Sequence, residues 1–218
     1  MKQSYIDESS HQFIEYEDLY RTEIRNIRVK DLGEKFAAIN AFFFEYLREY
    51  HIPTAFTNLY SGNKLIFLKN TKFPFSVNIL NTVDKRTSKI FNIKVGTRLT
   101  LPVHEYHYGE GKNSLITESH LLAFDLCSVE ELRIINRLCS KINAVLRSYF
   151  ERRDFILSEF YCLFGKNDNK VLVINDFTPR SLKILPGTET NKAIDPYKLS
   201  TAPQVKKYTD MIFNLINT

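Results

Sequence analysis

Residues 128–177 read SVEELRIINRLCSKINAVLRSYFERRDFILSEFYCLFGKNDNKVLVINDF, the pattern of a long amphipathic helix followed by a β-hairpin. Ser128 and Glu131 form a capping box, because each side chain can bind a backbone N–H that the first helical turn leaves free. Two apolar runs, 155–164 and 171–177, flank the turn 165–169, so we expect them to pair as a hairpin. The helix is expected to run to about Glu151, with its apolar side formed by Leu132, Ile135, Leu138, Ile142, Val145 and Tyr149.

Towards the N-terminus, the sequence predicts a second helix and several strands. Asp31 precedes apolar residues at helical spacing, and this helix is expected to end near residues 51–53. The runs 64–69 and 73–80 are expected to be adjacent strands with a turn at residues 70–72. A strand with a turn around Gly96 is expected over residues 89–101, and an aromatic strand over residues 102–108.

The C-terminal part supplies a last helix. It follows Pro203 and carries apolar residues at helical spacing as far as Leu215, while residues 187–200 before it are expected to be a loop. No stretch rich in Gly, Ser or Pro separates independent domains. The order of elements therefore predicts an α+β fold, in which a mostly antiparallel sheet is covered by helices in one compact body.

Composition narrows the classes of function. Of 218 residues, 44% are hydrophobic and 13% aromatic, which is typical of a globular protein. The net charge is +5, but 30 basic residues are interleaved with 25 acidic ones, so we expect an anionic small molecule or a nucleotide as partner and no nucleic acid. The N-terminus lacks the pattern of a signal peptide, and no apolar run approaches the roughly 20 residues of a membrane span. These features favour a cytoplasmic protein without a membrane partner.

Five short strings follow one another along residues 32–186. They are FEYL (44–47) with HIPT (51–54), FPF (73–75) before LN (80–81), LITESH (115–120), EFYCLFG (159–165) and NDFTP (175–179). In this order and spacing they resemble the SAICAR synthetase family. The corresponding family strings are F-x-x-L with G-I-P-T, I-P-x-E-V-V-x-R-N, D-P-x-I-N-D-D-H, D-F-K-x-E-F-G and D-E-x-S-P-D.

The resemblance implies a fold and an activity. Family members have a small, β-rich ATP-binding part and a larger α/β part, with a cleft between them. Here the corresponding parts would be residues 1–72, with the first helix and strands, and residues 73–218. Family members join aspartate to a carboxylated aminoimidazole ribonucleotide and form ADP and phosphate. The implied cofactors are therefore ATP and Mg²⁺, and the implied intermediate is an acyl phosphate, which the amine of aspartate attacks.

The resemblance also implies that the N-terminal ATP-binding part is reduced. The family holds the phosphates partly with lysines of a G-K-x-K strand, and Thr22 and Glu23 stand where a glycine and a lysine are expected. Lys69 falls on the second lysine of the family's L-V-K-K strand, which makes it a candidate phosphate ligand. The alternative is that Lys69 is a solvated surface residue.

The magnesium ligands of the family fall on Leu163 and Asn175, neither of which is a carboxylate. Leucine cannot coordinate a hard cation, and a neutral amide is a poor replacement. Glu159 and Asp176 keep carboxylates nearby, so the resemblance makes them the candidate metal ligands, and Asp176 also a candidate cofactor contact. The alternative is that both are hydrogen-bonded locally, as acidic residues at strand ends and turns usually are.

The substrate contacts of the family differ as well. Leu80 replaces the arginine that is expected to bind the phosphate of the ribonucleotide, and a lysine restores such a bidentate contact only in part. The remaining candidate substrate contacts are Asn81, Lys85, His120, Arg180 and Lys183. With Arg86, the cations among them are expected to line a basic cleft, and scattered surface charge is the alternative.

Three functions remain open from the sequence. The first is an ATP-dependent, ADP-forming amide ligase with an altered substrate, in which Asp176 and Glu159 hold the metal while Lys69 and Lys183 hold phosphate. The second is a catalytically inactive homologue that binds a ligand or a protein partner and needs no cofactor. The third is a binder of a phosphorylated ligand without transfer chemistry. A homo-oligomer is compatible with each of them.

Overall fold

The protein is described by a computed structural model over residues 9–22, 25–109, 114–187 and 194–217. Its strands are β1 (His11–Glu15), β2 (Leu19–Arg21), β3 (Asn26–Arg28), β4 (Phe56–Ser61), β5 (Lys64–Leu68), β6 (Thr71–Thr82), β7 (Arg98–Tyr108), β8 (Leu115–Ile116), β9 (Phe155–Asn167), β10 (Lys170–Val173) and β11 (Leu182–Pro186). Its helices are α1 (Leu32–Glu49), α2 (Lys85–Phe91), α3 (Glu118–Ala123), α4 (Val129–Glu151) and α5 (Ala202–Ile216), and a 3-10 turn lies at Pro196–Lys198. Within the described ranges, no helix has the length and apolar character that crossing a membrane requires.

A six-stranded antiparallel sheet carries most of the fold. Its order is β10-β9-β6-β7-β8, and β11 pairs with the other end of β9. The α+β fold with a mostly antiparallel sheet is therefore confirmed. The expected hairpin is also confirmed, because β9 and β10 pair from Phe164 opposite Val173 to the turn at Asp168 and Asn169, where both φ angles are positive.

A second, three-stranded sheet has the order β1-β5-β4. The expectation that runs 64–69 and 73–80 are adjacent strands is wrong, because β5 pairs with β1 and β4 whereas β6 pairs with β7 and β9. Asn70 lies at the crossing between the two sheets, and its side chain packs on Gly165 of β9. A Cβ at Gly165 would lie only 2.3 Å from Asn70 Oδ1, so the glycine allows this close approach.

The N-terminal part contains more strands than the sequence suggests. Two of them, β2 and β3, form a hairpin directly ahead of α1. Thr22 closes its turn, because the Thr22 hydroxyl donates to the carbonyl of Arg25 at 2.7 Å. Glu23, which stands at an expected lysine of the family, lies outside the described residues. The division of the chain at residue 72 stays a prediction.

The strand expected over residues 89–101 is wrong in its first part. Residues 85–91 form α2, whose N-cap is Asp84, and the Asp84 carboxylate accepts from the backbone N–H of Thr87 at 2.7 Å. An aspartate two residues after a strand is a helix-start signal that outweighs the apolar run Ile90 to Val95. The turn at Gly96 is present, with φ of +84°, and β7 begins directly after it.

Helix α4 packs on one face of the six-stranded sheet. Its capping box is confirmed, since Ser128 N donates to Glu131 Oε2 at 2.8 Å and Glu131 N donates to Ser128 Oγ at 3.2 Å. The first and last helices, α1 and α5, are confirmed close to their expected bounds. An aromatic cluster joins α1 to α4 and to the loop after β10, and its members are Phe43, Phe44, Tyr149, Phe150 and Phe177. Cys127, Cys139 and Cys162 are buried and unbridged.

Candidate ligand-binding site

The face of the six-stranded sheet that points away from α4 is rich in polar side chains. Residues directly opposite each other in antiparallel strands share a face, so the register defines its rows. The rows are His107, Ser76 and Leu163, then Glu105, Asn78 and Tyr161, then Val103, Leu80 and Glu159. Lys183 of β11 lies opposite Glu159 and extends the third row. We call this set the polar sheet face.

Several of these polar side chains are almost completely buried. Ser76, Asn78 and Glu159 are each 2 or 3% exposed. Among the described residues, Ser76 Oγ and Asn78 Oδ1 have no hydrogen-bond partner. A buried polar atom without a partner costs about 1–3 kcal/mol, which a polar ligand or water at this face would recover. The polar sheet face is therefore the candidate site.

Glu159 and Lys183 lie directly opposite each other in β9 and β11. Lys183 Nζ lies 3.9 Å from Asp195 Oδ1 and 5.4 Å from the centre of the Tyr197 ring. Burial raises the pKa of Tyr197 well above its ordinary value, and the negative charge of Glu159 adds to this rise. Tyr197 therefore stays neutral beside Glu159, while Lys183 supplies a positive charge to a ligand.

Two further lysines stand at the edge of the face. The close approach of Lys198 and its positive charge lower the pKa of Lys85, and the charge of Lys183 lowers it further. Asp195 acts on Lys85 in the opposite direction. Lysines held this close to one another repel, and an anion between them would relieve the repulsion. The structure thus brings the predicted residues Lys85, Lys183 and Glu159 together.

Arg86 is not a free cation of a basic cleft, because its guanidinium forms an ion pair with Glu105. Glu105 Oε2 is in turn 3.6 Å from His107 Nε2, and the ring of His107 lies 6.0 Å from that of Tyr161. Sequence reasoning named Arg86 but missed Glu105, His107 and Tyr161 as residues of this face. Alternation along β7 places Glu105 and His107 on one face and could have found them, whereas nothing in the local sequence signals Tyr197.

Asp176 lies in the loop between β10 and β11. It accepts from Thr178 Oγ1 at 3.0 Å and from Asn40 Nδ2 at 3.4 Å, and Arg180 is 3.5 Å away. Its side chain is 28% exposed. Burial raises the pKa of Asp176, although Arg180 and the hydrogen bonds oppose this shift. The predicted residues Asp176 and Arg180 are thus paired with each other.

The raised pKa of Asp176 predicts a pH dependence of stability. Because the folded state binds this proton more tightly than the unfolded state, the free energy of unfolding decreases as pH rises from the ordinary aspartate pKa of about 3.9 through the folded-state value. Asp176→Asn is expected to remove this contribution and to leave the protein at least as stable as the wild type at neutral pH. Urea unfolding of both proteins at a series of pH values measures this pH dependence. A large loss of stability in Asp176→Asn at neutral pH would contradict the prediction.

Three other candidate residues lie apart from this face. Asn81 is on the α4 side, where its amide exchanges two hydrogen bonds with Asn143, at 2.7 and 3.0 Å. His120 Nδ1 accepts from the backbone N–H of Thr117 at 3.1 Å in the capping box of α3. Lys69 is exposed at the end of β5, and its backbone carbonyl accepts from Asn167 Nδ2 at 2.7 Å. Their binding roles stay predictions that this geometry does not support.

The side chains at the expected magnesium positions do not fit the ion. Leu163 has no donor atom, and both ends of the Asn175 amide are engaged by β9: Oδ1 accepts from Leu163 N at 2.6 Å, and Nδ2 donates to the carbonyl of Tyr161 at 2.8 Å. In the described part of the chain, no three His, Cys, Asp or Glu side chains converge on a metal position. A metal role for Glu159 and Asp176 stays a prediction without a third ligand.

Comparisons with known proteins agree with this fold. A sequence model of the family described as SAICAR synthetase matches residues 19–199. The phosphoribosylaminoimidazole-succinocarboxamide synthase of Thermoanaerobacter sp. (strain X514) is 28% identical over 178 residues, which cover 79% of this chain and 75% of that protein. The crystal structure of the synthase of the same name from Ehrlichia chaffeensis superposes with a TM-score of 0.86 at 24% identity, over 98% of this chain and 93% of that chain. A SAICAR synthetase solved in complex with ADP superposes with a TM-score of 0.82 at 24% identity, over 95% and 92% of the two chains.

Proposed function

Because the chain belongs to the SAICAR synthetase family of ATP-dependent ligases, we propose that it is an ADP-forming ligase that joins a carboxylate to an amine and that its substrate differs from the family's ribonucleotide. One observation carries the proposal. Glu159 and Lys183 lie opposite each other on the polar sheet face, one row from the buried Asn78 Oδ1, which has no partner among the described residues, whereas Leu80 stands where the resemblance to the family implies a phosphate contact. The site keeps groups for a carboxylate and an amine but has lost a clamp for a phosphate.

Lys183 is the group that holds the substrate carboxylate. Its side chain is 20% exposed, so its charge is partly desolvated and attracts an anion more strongly than a surface lysine does. The face of Tyr197 and the carboxylate of Asp195 fix the position of the ammonium group. A carboxylate bound here lies at the edge of the polar sheet face, within reach of Lys85 and Lys198.

Glu159 is the group that receives the proton of the amine. When an amine attacks an activated carboxylate, the new C–N bond forms, the leaving group departs and the nitrogen loses a proton. Glu159 is buried opposite Lys183, and the neighbouring Tyr197 stays neutral. Asn78 Oδ1, one row away and without a partner among the described residues, is available to orient the amine.

ATP, when bound, would supply the phosphoryl group that turns one oxygen of the substrate carboxylate into part of a phosphate leaving group. The relative that was solved with ADP supports nucleotide binding in this family fold. In this chain the nucleotide is proposed to lie in a cleft between two parts of the molecule. One part contains β1, β4 and β5, the other contains the six-stranded sheet, and they correspond to the predicted division into residues 1–72 and 73–218. Leu163 and Asn175 do not fit Mg²⁺, because leucine has no donor atom and both ends of the Asn175 amide are bonded to β9.

A specific observation favours a second function, a catalytically inactive homologue that binds a ligand. Asn175 is fully used in holding the loop to β9, and its neighbour Leu163 is apolar, so two positions that handle the metal in the family serve packing here. Lost carboxylates lower phosphoryl-transfer rates more than they lower the affinity for a substrate. A phosphorylated-ligand binder without transfer chemistry is a variant of the same function.

Titration calorimetry and an ADP-release assay separate the two functions. For a ligase, we expect ATP to bind with measurable heat at millimolar concentration, and ADP to form when a carboxylate and an amine are both present. The assay would pair aspartate with the family's ribonucleotide and with a panel of unphosphorylated carboxylates, with and without Mg²⁺. No heat with ATP and no ADP from any pair would overturn the ligase proposal, while carboxylate binding alone would establish the inactive homologue.

A further inference from the structure

A surface segment next to the polar sheet face exposes large apolar side chains. We call residues 85–103 the α2 arm, since it begins with α2 and ends in the first half of β7. Helix α2 buries none of its residues. The exposed apolar side chains of the arm are Ile90, Phe91, Ile93, Val95, Leu101 and Val103, and Leu101 is 78% exposed. Scattered exposed apolar residues need no explanation, but six within one short segment mark an interaction surface.

The charge of the α2 arm has one sign. It carries Lys85, Arg86, Lys89, Lys94 and Arg98, and no acidic residue occurs between Asp84 and Glu105. Over the whole chain, by contrast, basic and acidic residues are nearly balanced, with 30 against 25. Arg86 is paired with Glu105, so the charge offered to a partner comes mainly from the other four residues. A partner that complements this surface must be acidic.

The backbone geometry holds the arm at one end of the sheet. Gly96 N donates to the carbonyl of Val83 at 2.8 Å, and Val83 N donates to the carbonyl of Thr97 at 2.9 Å. These two hydrogen bonds bring the chain after α2 back to the end of β6. Thr82 pairs with Arg98, but β6 and β7 resume regular pairing only from Leu80 opposite Val103. The register therefore shifts over residues 99–102 of β7, and this irregular stretch, which includes Leu101, lies at the end of the sheet where α2 follows β6.

We propose that the α2 arm docks an acidic polypeptide segment that also carries apolar side chains. This inference goes beyond the proposed function and does not depend on catalysis. Along the arm, several cations lie directly next to apolar residues, as in Lys89 and Ile90 or Lys94 and Val95, so a partner that carries both acidic and apolar residues matches it. Lys85 belongs to both the arm and the edge of the site, so the bound segment would lie beside the entrance to the polar sheet face.

Two other occupants fit less well. A second copy of this chain would bring the same cations face to face, and like charges across an interface cost affinity. A lipid surface is best matched by a helix with separate apolar and basic faces, whereas α2 has only 7 residues and its apolar residues lie at its end and in the turn beyond it. The acidic polypeptide is therefore the occupant that the charge pattern supports.

The test uses the full chain and a fluorescently labelled synthetic peptide in which glutamate and leucine alternate. Anisotropy titration is expected to show saturable binding that weakens as salt increases. Lys89→Glu combined with Lys94→Glu is expected to weaken binding by about tenfold or more, and Ile90→Ser with Phe91→Ser by a similar factor. Because all four residues are exposed, thermal unfolding of these variants should match the wild type.

Matched controls alter the same residue types elsewhere. Lys141→Glu with Lys207→Glu reverses two exposed charges on α4 and α5, and Leu59→Ser with Tyr60→Ser removes two exposed apolar groups on β4. Neither control should change peptide affinity. The proposal is overturned if the peptide does not bind, or if the controls weaken it as much as the arm variants. Arm-dependent binding to phosphatidylserine vesicles in place of the peptide, or a dimer that Ile90→Ser with Phe91→Ser dissociates, would also overturn it. None of these results bears on ADP formation.

Discussion

Phe43→Ala is expected to lower the free energy of unfolding by about 3–5 kcal/mol, the range for truncating a fully buried phenylalanine. Phe43 has no exposed surface. The centre of its ring lies 5.5 Å from that of Tyr149, 5.7 Å from that of Phe150 and 5.4 Å from that of Phe177. The substitution therefore removes contacts with α4 and with the loop after β10 at the same time, and the rigid rings around it cannot fill the cavity.

Urea unfolding at neutral pH, followed by circular dichroism, measures this loss. Tyr60→Ala is the matched control, because it removes an aromatic ring that is 57% exposed on β4, and a loss of at most about 1.5 kcal/mol is expected from its edge-on contact with the Phe13 ring. A Phe43→Ala loss below about 1.5 kcal/mol would mean that α1 and α4 do not pack through this ring. An unchanged slope against urea would show that the loss comes from the folded state.

The same cluster connects stability to the candidate site. Phe177 follows Asp176 directly, and the backbone N–H of Phe177 donates to Asn40 Oδ1 of α1 at 2.7 Å. Asn175, on the other side of Asp176, is bonded to β9. The loop between β10 and β11 is thus fixed by α1 on one side and by the sheet on the other. Asn175 and Phe177 hold this loop in place by packing and hydrogen bonds. The resemblance to the family implies a carboxylate at the position of Asn175.

The sequence predicted the elements that local chemistry determines. The capping box of Ser128 and Glu131 marked the start of α4, and helical spacing of apolar residues marked α1, α4 and α5. The hairpin of β9 and β10 followed from two apolar runs with a polar turn. Each of these signals acts within a few residues, so no knowledge of distant contacts is needed.

Partners in the sheets could not be predicted in the same way. The turn 70–72 has the composition of a hairpin turn, yet β5 and β6 enter different sheets because β1, more than fifty residues earlier in the sequence, takes the place beside β5. In the site, the resemblance indicated Glu159, Lys85 and Lys183, which lie together in the structure, although only Glu159 belongs to one of the five strings. It gave no sign of Tyr197 or of the pairing of Asn81 with Asn143, since both depend on contacts between distant segments.

Lys183→Met is expected to lower the rate of ADP formation by about 10²- to 10³-fold, the usual effect of removing one charged group that acts on the reacting atoms. Methionine keeps most of the length of the side chain and its packing against Tyr197 but carries no charge. Asp195, the ion-pair partner, is 32% exposed and stays solvated without the lysine, so the fold should be retained. Lys183→Arg should recover part of the rate, because it restores the charge with a different shape.

Lys206→Met is the control, because Lys206 also forms an ion pair, with Asp210 at 2.5 Å, but lies on α5 and is 58% exposed. Its turnover should equal that of the wild type. Separate measurement of kcat and KM decides the role of Lys183: a rise in KM alone means that it binds the carboxylate equally in the ground state and the transition state, whereas a fall in kcat places it at the reacting atoms. Unchanged turnover in Lys183→Met would show that the Lys183 charge has no role in the reaction. The ligase proposal, which rests on Lys183 and Glu159 lying opposite each other, would then lose its basis.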